Sequence, residues 1–320
     1  MMPVALAAAV PLAIAVPHLL RLERVAPSIA IALWLGALVL RAMAAVLIVI
    51  LAVFYLPATQ LFGLLTHWCW HAVLPFFATH LGFSGHSVGD ATTIVPAAAI
   101  AASTLSLGWT ILRAARAVRQ LLRKRALGGG PMGSVIVGGP DVVIAAAGLT
   151  RPKVVVSAGA LTQLNDAELA ASLDHERGHI ARGHRVLLLF GEVCRALGRF
   201  IPGSRIAVAE LAFHIERDAD AYAVAQRHDP LALASAICKA AGLRPSAATM
   251  IPLADDRSVT GRVRLLSEAP DRQRALDRAV GCGVAITAAL ALWLASAAPS
   301  LAASGIRDLA HTRTVHRCPS

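Results

Sequence analysis

The sequence predicts an α-helical membrane protein that carries an α+β domain between its third and fourth membrane helices. Three observations lead to this fold class. The 320-residue chain is 57% hydrophobic and only 15% charged, whereas soluble domains are usually about one quarter charged. Four apolar segments approach the length that crosses a bilayer. Between the third and the fourth of these segments, residues 128–280 alternate glycine turns, short apolar runs and amphipathic stretches.

The predicted membrane helices are four segments close to the length of about 20 residues that spans a bilayer. They cover residues 3–20, 28–56, 91–112 and 281–303. Cytoplasmic ends of membrane helices carry an excess of Lys and Arg. A basic cluster at 113–125 directly follows the third segment, whereas the loop 57–90 contains no Lys or Arg. We therefore expect the N-terminus and this loop outside and residues 113–280 in the cytoplasm.

This topology divides the chain into three parts. Residues 1–127 hold the first three membrane helices with the external loop 57–90. Residues 128–280 form a cytoplasmic domain, and residues 281–320 form the fourth helix with a short external tail. The lipid bilayer is therefore one expected partner. Arg41 lies within the second segment, where a charge is costly, so we expect it to face the helix bundle and to find carbonyl groups or water.

The charge distribution argues against nucleic-acid binding, and the cysteine spacing argues against a disulfide-bonded or cysteine-zinc protein. The net charge of +11 is concentrated beside apolar segments and no nucleic-acid motif accompanies it, so we expect no direct nucleic-acid binding. The five cysteines are scattered without a C-x-x-C pair. This spacing favours neither a disulfide framework nor a cysteine-bound zinc ion.

A metal-binding motif lies in the predicted cytoplasmic domain. Residues 173–184 read LDHERGHIARGH, in which His175, Glu176 and His179 form H-E-x-x-H. Asn165 followed by Glu168 is typical of a capping box, which predicts a helix from there to about residue 185. Residues four apart share one face of a helix, so both histidines can bind one zinc ion.

A catalytic zinc site needs a third protein ligand and an open position for water. Glu216 and Asp220 are four residues apart in the next predicted helix. If the two helices pack antiparallel through a connection that contains Pro202 and Gly203, Glu216 completes a His-His-Glu site. Asp220 is then placed to accept the second ring proton of a liganding histidine.

Other polar residues of this region compete for the same roles. Glu210 lacks a partner acid, and Asp218 points to a different helix face from Glu216. We interpret three further histidines as surface residues: His184, His214 and His228. A charged, solvated pair of helices is the alternative to the whole site.

The segment before the motif predicts a small sheet. Residues 135–137 and 142–147 flank the turn GGPD, which predicts a hairpin, and KVVVSAGAL predicts a third strand. The GGGPMG stretch at 128–133 is interpreted as a flexible breaker. The expected fold class is therefore an α-helical membrane protein of about four transmembrane helices with a cytoplasmic, gluzincin-like α+β zinc peptidase domain.

The chain resembles the BlaR/MecR-type antirepressor metallopeptidases of bacterial membranes. The four-segment layout, the run VVVSAGALTQLNDAELAASLDHERGHIARGH and the spacing to ERDAD carry this resemblance. It implies that His175, His179 and Glu216 bind zinc and that Glu176 is the catalytic base. Asp220 matches the trailing aspartate of the family pattern.

The resemblance also implies a partner and a location. We expect a multi-pass protein of a bacterial cell membrane that cleaves a cytoplasmic BlaI/MecI-type winged-helix repressor. The sensors of this type carry an external penicillin-binding domain after the last membrane helix. This chain has no S-x-x-K motif, so it resembles a short form without that domain. The oligomeric state is open, with a homo-oligomer as one alternative.

Two other functions remain open from the sequence. HtpX-type peptidases of the Ste24 group, which act in membrane protein quality control, share the strand, the H-E-x-x-H and an E-x-x-A-D element. Further membrane helices usually separate their motifs. The interval from His179 to Glu216 contains five arginines, which favours the BlaR/MecR type. The second alternative is a non-enzymatic membrane signalling scaffold.

The expected chemistry assigns each residue a role. Zinc lowers the pKa of a bound water toward about 7, and Glu176 takes the proton of that water and passes it to the leaving amine. The donor that stabilises the oxyanion is open among Tyr222, His214 and Arg217. The strand KVVVS is expected to hold an extended substrate by edge pairing.

Overall fold

The structure is a computed structural model that describes residues 2–20, 22–54, 126–148, 152–241, 256–268 and 274–315, with scattered helical residues between 98 and 116. The predicted external loop 57–90 lies outside these residues, as does most of the predicted third membrane helix. The described part of the chain is mostly helical and contains a four-stranded sheet.

The elements are named here in chain order. The helices are α1 (Met2–Leu19), α2 (Pro27–Phe54), α3 (Ala158–Gln163), α4 (Asp166–Ala181), α5 (His184–Leu197), α6 (Ser204–Ala225), α7 (Pro230–Ala241), α8 (Asp256–Ser267) and α9 (Arg274–Val315). The strands are β1 (Ala126–Gly129), β2 (Val135–Val137), β3 (Ile144–Ala147) and β4 (Lys153–Ser157).

Two of the described helices are long and apolar enough to cross a membrane. They are Pro27–Leu51 within α2 and Ala275–Ser300 within α9, which correspond to the second and fourth predicted membrane helices. The apolar part of α1 is the shorter range Ala9–Leu19. Among the described residues, two of the four predicted membrane helices are therefore supported.

Helices α2 and α9 lie side by side and run in the same direction. The Ala26 amide donates a hydrogen bond to Asp277 Oδ1 at 2.9 Å, at the start of both helices. Further along, a Cβ added to Gly36 would lie only 2.7 Å from Thr287 Oγ1. Glycine at this position therefore allows the two helices to approach closely.

Arg41 is buried where α1, α2 and the α5–α6 connection meet. Its side chain is 1% exposed, and its guanidinium donates to the carbonyls of Ala37 and Ile14, both at 3.2 Å. It also lies 2.7 Å from His18 Nε2. The prediction that Arg41 faces the bundle and finds carbonyl groups is confirmed.

The sheet corrects the predicted hairpin. The strand order is β1-β2-β4-β3: β2 pairs in parallel with β4, and β3 pairs with β4 in antiparallel orientation. The prediction that 135–137 and 142–147 pair with each other is therefore wrong, because β4 lies between them. The GGGPMG segment is also more ordered than expected, since β1 includes its first two residues and pairs with β2.

The third predicted strand is shorter than its apolar run. It ends at Ser157, whose hydroxyl accepts a hydrogen bond from the Ala160 amide and so caps α3. At the start of α3, Gly159 leaves no room for a side chain, because an added Cβ would lie 2.0 Å from the Pro140 carbonyl oxygen. The helix can therefore pack directly on the loop before β3.

The capping box of α4 is present as predicted. The Asn165 side chain accepts from the Glu168 amide at 2.8 Å, and Glu168 Oε2 accepts from the Asn165 amide at 2.9 Å. The helix ends at Ala181, earlier than expected, because Gly183 adopts a left-handed conformation with φ of 63°. This turn starts α5 at His184.

Helix α5 was not expected as a separate element. The prediction that the motif helix and the Glu216 helix are consecutive is wrong, since these are α4 and α6, with the 14 residues of α5 between them. Helix α5 is too short to span a bilayer. Both α5 and α6 pack along α2 in one hydrophobic core that includes Leu38, Leu211 and Ile215.

Glu168 gives a stability prediction, because it also joins α4 to α7. Its buried carboxylate accepts from Lys239 Nζ and Ser235 Oγ, both at 2.6 Å. Burial alone would raise the pKa of Glu168, but these bonds and the Asn165 amide outweigh it and hold the pKa below its ordinary value. Stability from this ionised group is therefore present at neutral pH and lost as the pH falls through that lowered pKa.

We expect Glu168→Gln to lower the free energy of unfolding by about 1 kcal/mol at pH 7, because the amide keeps the capping box but loses the Lys239 ion pair, whose lysine is 40% exposed. The difference from wild type should shrink as the pH falls through the lowered pKa of Glu168. Thermal unfolding of the purified protein across pH measures it. Asp166→Asn, at the exposed first turn of α4, is the control, and an equal loss there would contradict a role for Lys239.

Candidate metal centre

Three side chains from α4 and α6 converge on one point. His175 and His179 are four residues apart on α4, and their Nε2 atoms lie 3.1 Å from each other. Glu216 of α6 places one carboxylate oxygen 3.4 Å from His175 Nε2 and the other 3.5 Å from His179 Nε2. The structure therefore brings together the three residues that the sequence proposed as zinc ligands. One ligand atom from each of them lies within 4.8 Å of the other two.

These separations suit a tetrahedral zinc ion. Zinc binds imidazole nitrogen and carboxylate oxygen at about 2.0–2.2 Å, so two ligands of a tetrahedral site lie about 3.4 Å apart. The two histidine Nε2 atoms are 3.1 Å apart, and they lie 3.4 and 3.5 Å from different oxygens of the Glu216 carboxylate. With three donors from the protein, a fourth position remains for a water molecule, which is the arrangement of a catalytic site.

Small residues between α4 and α6 make this convergence possible. Gly178 lies between the two histidines on α4, and a Cβ added to it would lie 3.0 Å from Tyr222 Cβ on α6. Ala171, Ala219 and Ala223 are fully buried. The two helix backbones can therefore approach closely enough for side chains on both to reach one ion.

Glu176 lies against the sheet beside the three donors. Its Oε2 accepts a hydrogen bond of 2.6 Å from the Ala146 amide of β3. Burial raises the pKa of Glu176, against the opposing effects of His175 and of the Ala146 amide. The carboxylate is thus fixed in position and shifted toward accepting a proton, as a general base requires.

The ring nitrogens that face away from the centre also have acidic groups near them. His175 Nδ1 lies 2.9 Å from Asp220 Oδ1, although the ring is not aligned for a hydrogen bond with it. On the other histidine, His179 Nδ1 lies 3.0 Å from His184 Nδ1. Asp220 therefore lies next to His175, and its role as acceptor of the second ring proton stays a prediction.

The structure corrects two of the histidines that we expected at the surface. His184 and His214 are each 1% exposed. His214 Nδ1 accepts a hydrogen bond of 2.8 Å from Arg217, whose guanidinium also donates to the carbonyls of Leu22 and Glu23. Two of the three oxyanion candidates, His214 and Arg217, thus hold the α1–α2 connection against α6.

The remaining alternatives lie away from the centre. His228 is partly buried and lies 2.6 Å from Asp174 Oδ2. Glu210 is 44% exposed in its side chain, and its carboxylate lies 4.0 Å from His214 Nε2. Asp218 points away from Glu216, as predicted, and contacts His184 instead.

Arg262 of α8 completes the centre and was missed by the sequence reasoning. Its guanidinium donates to both carboxylate oxygens of Asp220, at 2.7 and 2.8 Å, and lies 2.8 Å from Glu216 Oε2. The side chain is 11% exposed. No motif marks Arg262, which is 42 residues beyond Asp220 and reaches the centre only through the packing of α8.

Arg262 explains how buried acids remain ionised here. Burial alone would raise the pKa values of Glu216 and Asp220, but the nearby guanidinium lowers both below their ordinary values. Burial lowers the pKa of His179 to about 3, so its ring is neutral and can offer a lone pair. Burial alone would lower the pKa of His175, but the Asp220 and Glu216 carboxylates outweigh it and raise this pKa to about 10. A cation at His175 Nε2 therefore replaces a proton.

The comparisons with known proteins support a metallopeptidase. A family model described as Peptidase family M48 matches residues 113–213, about one third of the chain. The matched region contains the whole of α4 with both histidines and ends shortly before Glu216. No curated protein and no solved structure matches the chain. This similarity supports a zinc-dependent, membrane-type protease, and it does not single out the BlaR/MecR type.

Loss of Arg262 should lower the free energy of unfolding most when no metal is bound. We expect Arg262→Gln to destabilise the chelator-treated protein by about 3 kcal/mol, because two buried carboxylates lose their cation. Added zinc should recover part of this loss, since the ion supplies positive charge to Glu216. Thermal unfolding of detergent-purified protein, with chelator and with zinc, measures both effects.

The matched control is Arg264→Gln on the same helix. Arg264 is 52% exposed and pairs with Glu23 at the surface, so its loss should change stability by about 0.5 kcal/mol or less. Equal destabilisation by the two variants would contradict the role assigned to Arg262.

Proposed function

We propose that this protein is a membrane-anchored zinc metalloendopeptidase in which His175, His179 and Glu216 bind zinc and Glu176 is the catalytic base. The observation that carries the proposal is the convergence of His175, His179 and Glu216, in which both histidine Nε2 atoms lie within 3.5 Å of the Glu216 carboxylate. Helix α4 also holds Glu176 beside them. Bound zinc would supply an acidic water molecule and polarise the scissile carbonyl.

The protein residues divide the remaining work. Glu176 takes the proton of the attacking water and later delivers it to the leaving amine, a transfer favoured by its raised pKa. Asp220 orients the ring of His175, and Arg262 keeps Asp220 and Glu216 ionised. Tyr222, which packs against Gly178 between the two histidines, remains an oxyanion candidate.

Substrate pairing is proposed at β3 and not at β4. The strand KVVVS cannot offer an edge, because β4 lies between β2 and β3. Strand β3 is at the edge of the described sheet, and its Ala146 amide points away from β4 toward Glu176. An extended peptide added along β3 would therefore place its backbone beside the base.

The proposed location is a bacterial cell membrane, with several membrane crossings and a cytoplasmic active site. Support comes from the apolar helices α2 and α9 and from the basic cluster at 113–125. The α1–α2 connection contacts Arg217, the neighbour of Glu216. The centre therefore lies close to the ends at which both apolar helices begin.

The proposed substrate is a cytoplasmic transcriptional repressor of the BlaI/MecI winged-helix type, cleaved in a signalling response. A cytoplasmic centre and the BlaR/MecR resemblance support this proposal. The second candidate is HtpX-like quality control of many membrane proteins. The match to Peptidase family M48 is compatible with this candidate as well as with the first.

Glu176→Gln tests the reaction. The variant should keep zinc and lose cleavage by about 100-fold or more, because the ligands are untouched while the base is removed. Zinc content and the rate of substrate cleavage are measured together. Glu210→Gln, at a half-buried glutamate of α6 outside the centre, is the control and should cleave normally. Cleavage by Glu176→Gln at the wild-type rate would contradict the mechanism.

The same variant separates the two substrate classes. Inactive Glu176→Gln protein purified from native membranes should retain its uncleaved substrate, and wild-type protein should then cut what was retained. Recovery of one small winged-helix protein supports the repressor proposal. Recovery of many unrelated membrane proteins would instead support quality control.

A further inference from the structure

A buried chain of polar side chains leads away from His179. His179 Nδ1 lies 3.0 Å from His184 Nδ1, and His184 Nε2 lies 3.0 Å from Asp218 Oδ2. The other oxygen of Asp218 forms an ion pair with Arg182. His184 is 1% and Asp218 is 5% exposed, so these contacts form away from water.

The direction of each hydrogen bond in this chain follows from zinc binding. A neutral imidazole has one nitrogen that carries a proton and one that offers a lone pair. If His179 Nε2 offers its lone pair to zinc, Nδ1 carries the proton and donates to His184 Nδ1. His184 must then carry its own proton on Nε2, where it donates to the Asp218 carboxylate. Every ring in the chain thus has one defined tautomer.

The turn between α4 and α5 builds this contact. Gly183 has a φ of 63°, which disfavours residues with a side chain, and it reverses the chain directly after α4. His184 is consequently the first residue of α5 and faces back toward His179, five positions earlier. Asp218 reaches it from α6, on the helix face that does not hold Glu216.

We propose that His184 and Asp218 are positioning residues that fix the ring orientation and the tautomer of the zinc ligand His179. This inference rests on the proposed function, because it assumes that His179 binds zinc. Histidines that bind metals usually donate their second ring proton to a carboxylate, a carbonyl group or water. Here a second imidazole stands between the ligand and the carboxylate.

The two ligand histidines are therefore supported differently. His175 has the carboxylate of Asp220 directly beside Nδ1, and Arg262 neutralises that carboxylate. His179 has the imidazole of His184 beside Nδ1, with the charge of Asp218 one ring further away and neutralised by Arg182. Loss of His184 should consequently affect the orientation of His179 without removing a charge next to it.

Two substitutions at His184 separate the hydrogen bond from the space that the ring fills. In His184→Asn the amide oxygen can replace Nδ1 and still accept from His179. In His184→Gln the amide nitrogen can replace Nε2 and still donate to Asp218, but the acceptor for His179 is lost. We expect His184→Gln to bind zinc about 10- to 100-fold more weakly than wild type and His184→Asn to lose clearly less.

The measurement is zinc affinity of the detergent-purified full chain, by competition with a chelator. The visible absorption spectrum of the Co²⁺-loaded protein is recorded as well, because it reports the ligand geometry. His228→Gln is the matched control, since it makes the same substitution in another His–Asp pair, with Asp174, that does not touch a ligand ring. Wild-type zinc affinity and an unchanged spectrum are expected for this control.

Three results would overturn the inference: wild-type zinc affinity in His184→Gln, an equal loss in His184→Asn, or an equal loss in His228→Gln. If His184→Gln does not fold, Asp218→Asn tests the chain from its far end, and unchanged zinc affinity there would also contradict it. Absence of zinc from the wild-type protein would be a different failure, because it would remove the proposed function itself.

Discussion

The close contact between α4 and α6 is the constraint on which the rest of the centre depends. His175 and His179 come from one helix and Glu216 from the other, so three donors meet only if the backbones approach closely. Gly178 against Tyr222 permits that approach, and the fully buried alanines on both helices maintain it. The sheet then adds Glu176 through the Ala146 amide, which fixes the Glu176 carboxylate relative to the three side chains.

Close packing of these helices also concentrates charge in a buried place. Glu216, Asp220 and Asp218 all lie on α6 within a few residues, and unpaired buried carboxylates are costly. Arg262 compensates Glu216 and Asp220, and Arg182 compensates Asp218. The basic residues are therefore part of the centre, since they keep its acids ionised and able to bind a cation.

The centre is tied to the apolar helices through the same α6. This helix packs along α2, and Arg217, next to Glu216, holds the carbonyls of the α1–α2 connection. Arg41, further along α2, is satisfied by carbonyls of α1 and α2 and lies beside Pro202 and Gly203 before α6. The centre therefore lies close to the starts of α2 and α9.

Local signals in the sequence predicted the centre better than the sheet around it. The capping box at Asn165 and the four-residue spacing of His175 and His179 depend only on neighbouring residues, so α4 was predictable. The pairing of β2 was not, because a turn suggested its neighbour β3 whereas β4, later in the chain, lies between them. Glu216 was proposed from the ligand chemistry of zinc, and it lies beside both histidines even though α5 was overlooked.

The residues that the sequence did not reveal are those that arrive by tertiary packing. Arg262 comes from α8, for which no motif exists, and its role follows only from the buried acids that it meets. His184 was interpreted as a surface residue because a lone histidine after a glycine carries no periodic signal. Its burial depends on the left-handed turn at Gly183 and on Asp218 from a different helix.

Zinc bound per chain is the measurement that tests the central claim most directly. It is made on detergent-purified wild-type protein beside Glu216→Ala, with Glu210→Ala as the control from the same helix. The account predicts about one zinc ion in wild type and in the control, and a sharply lower content in Glu216→Ala. No zinc in the wild-type protein, or equal zinc in all three, would contradict the His175–His179–Glu216 centre.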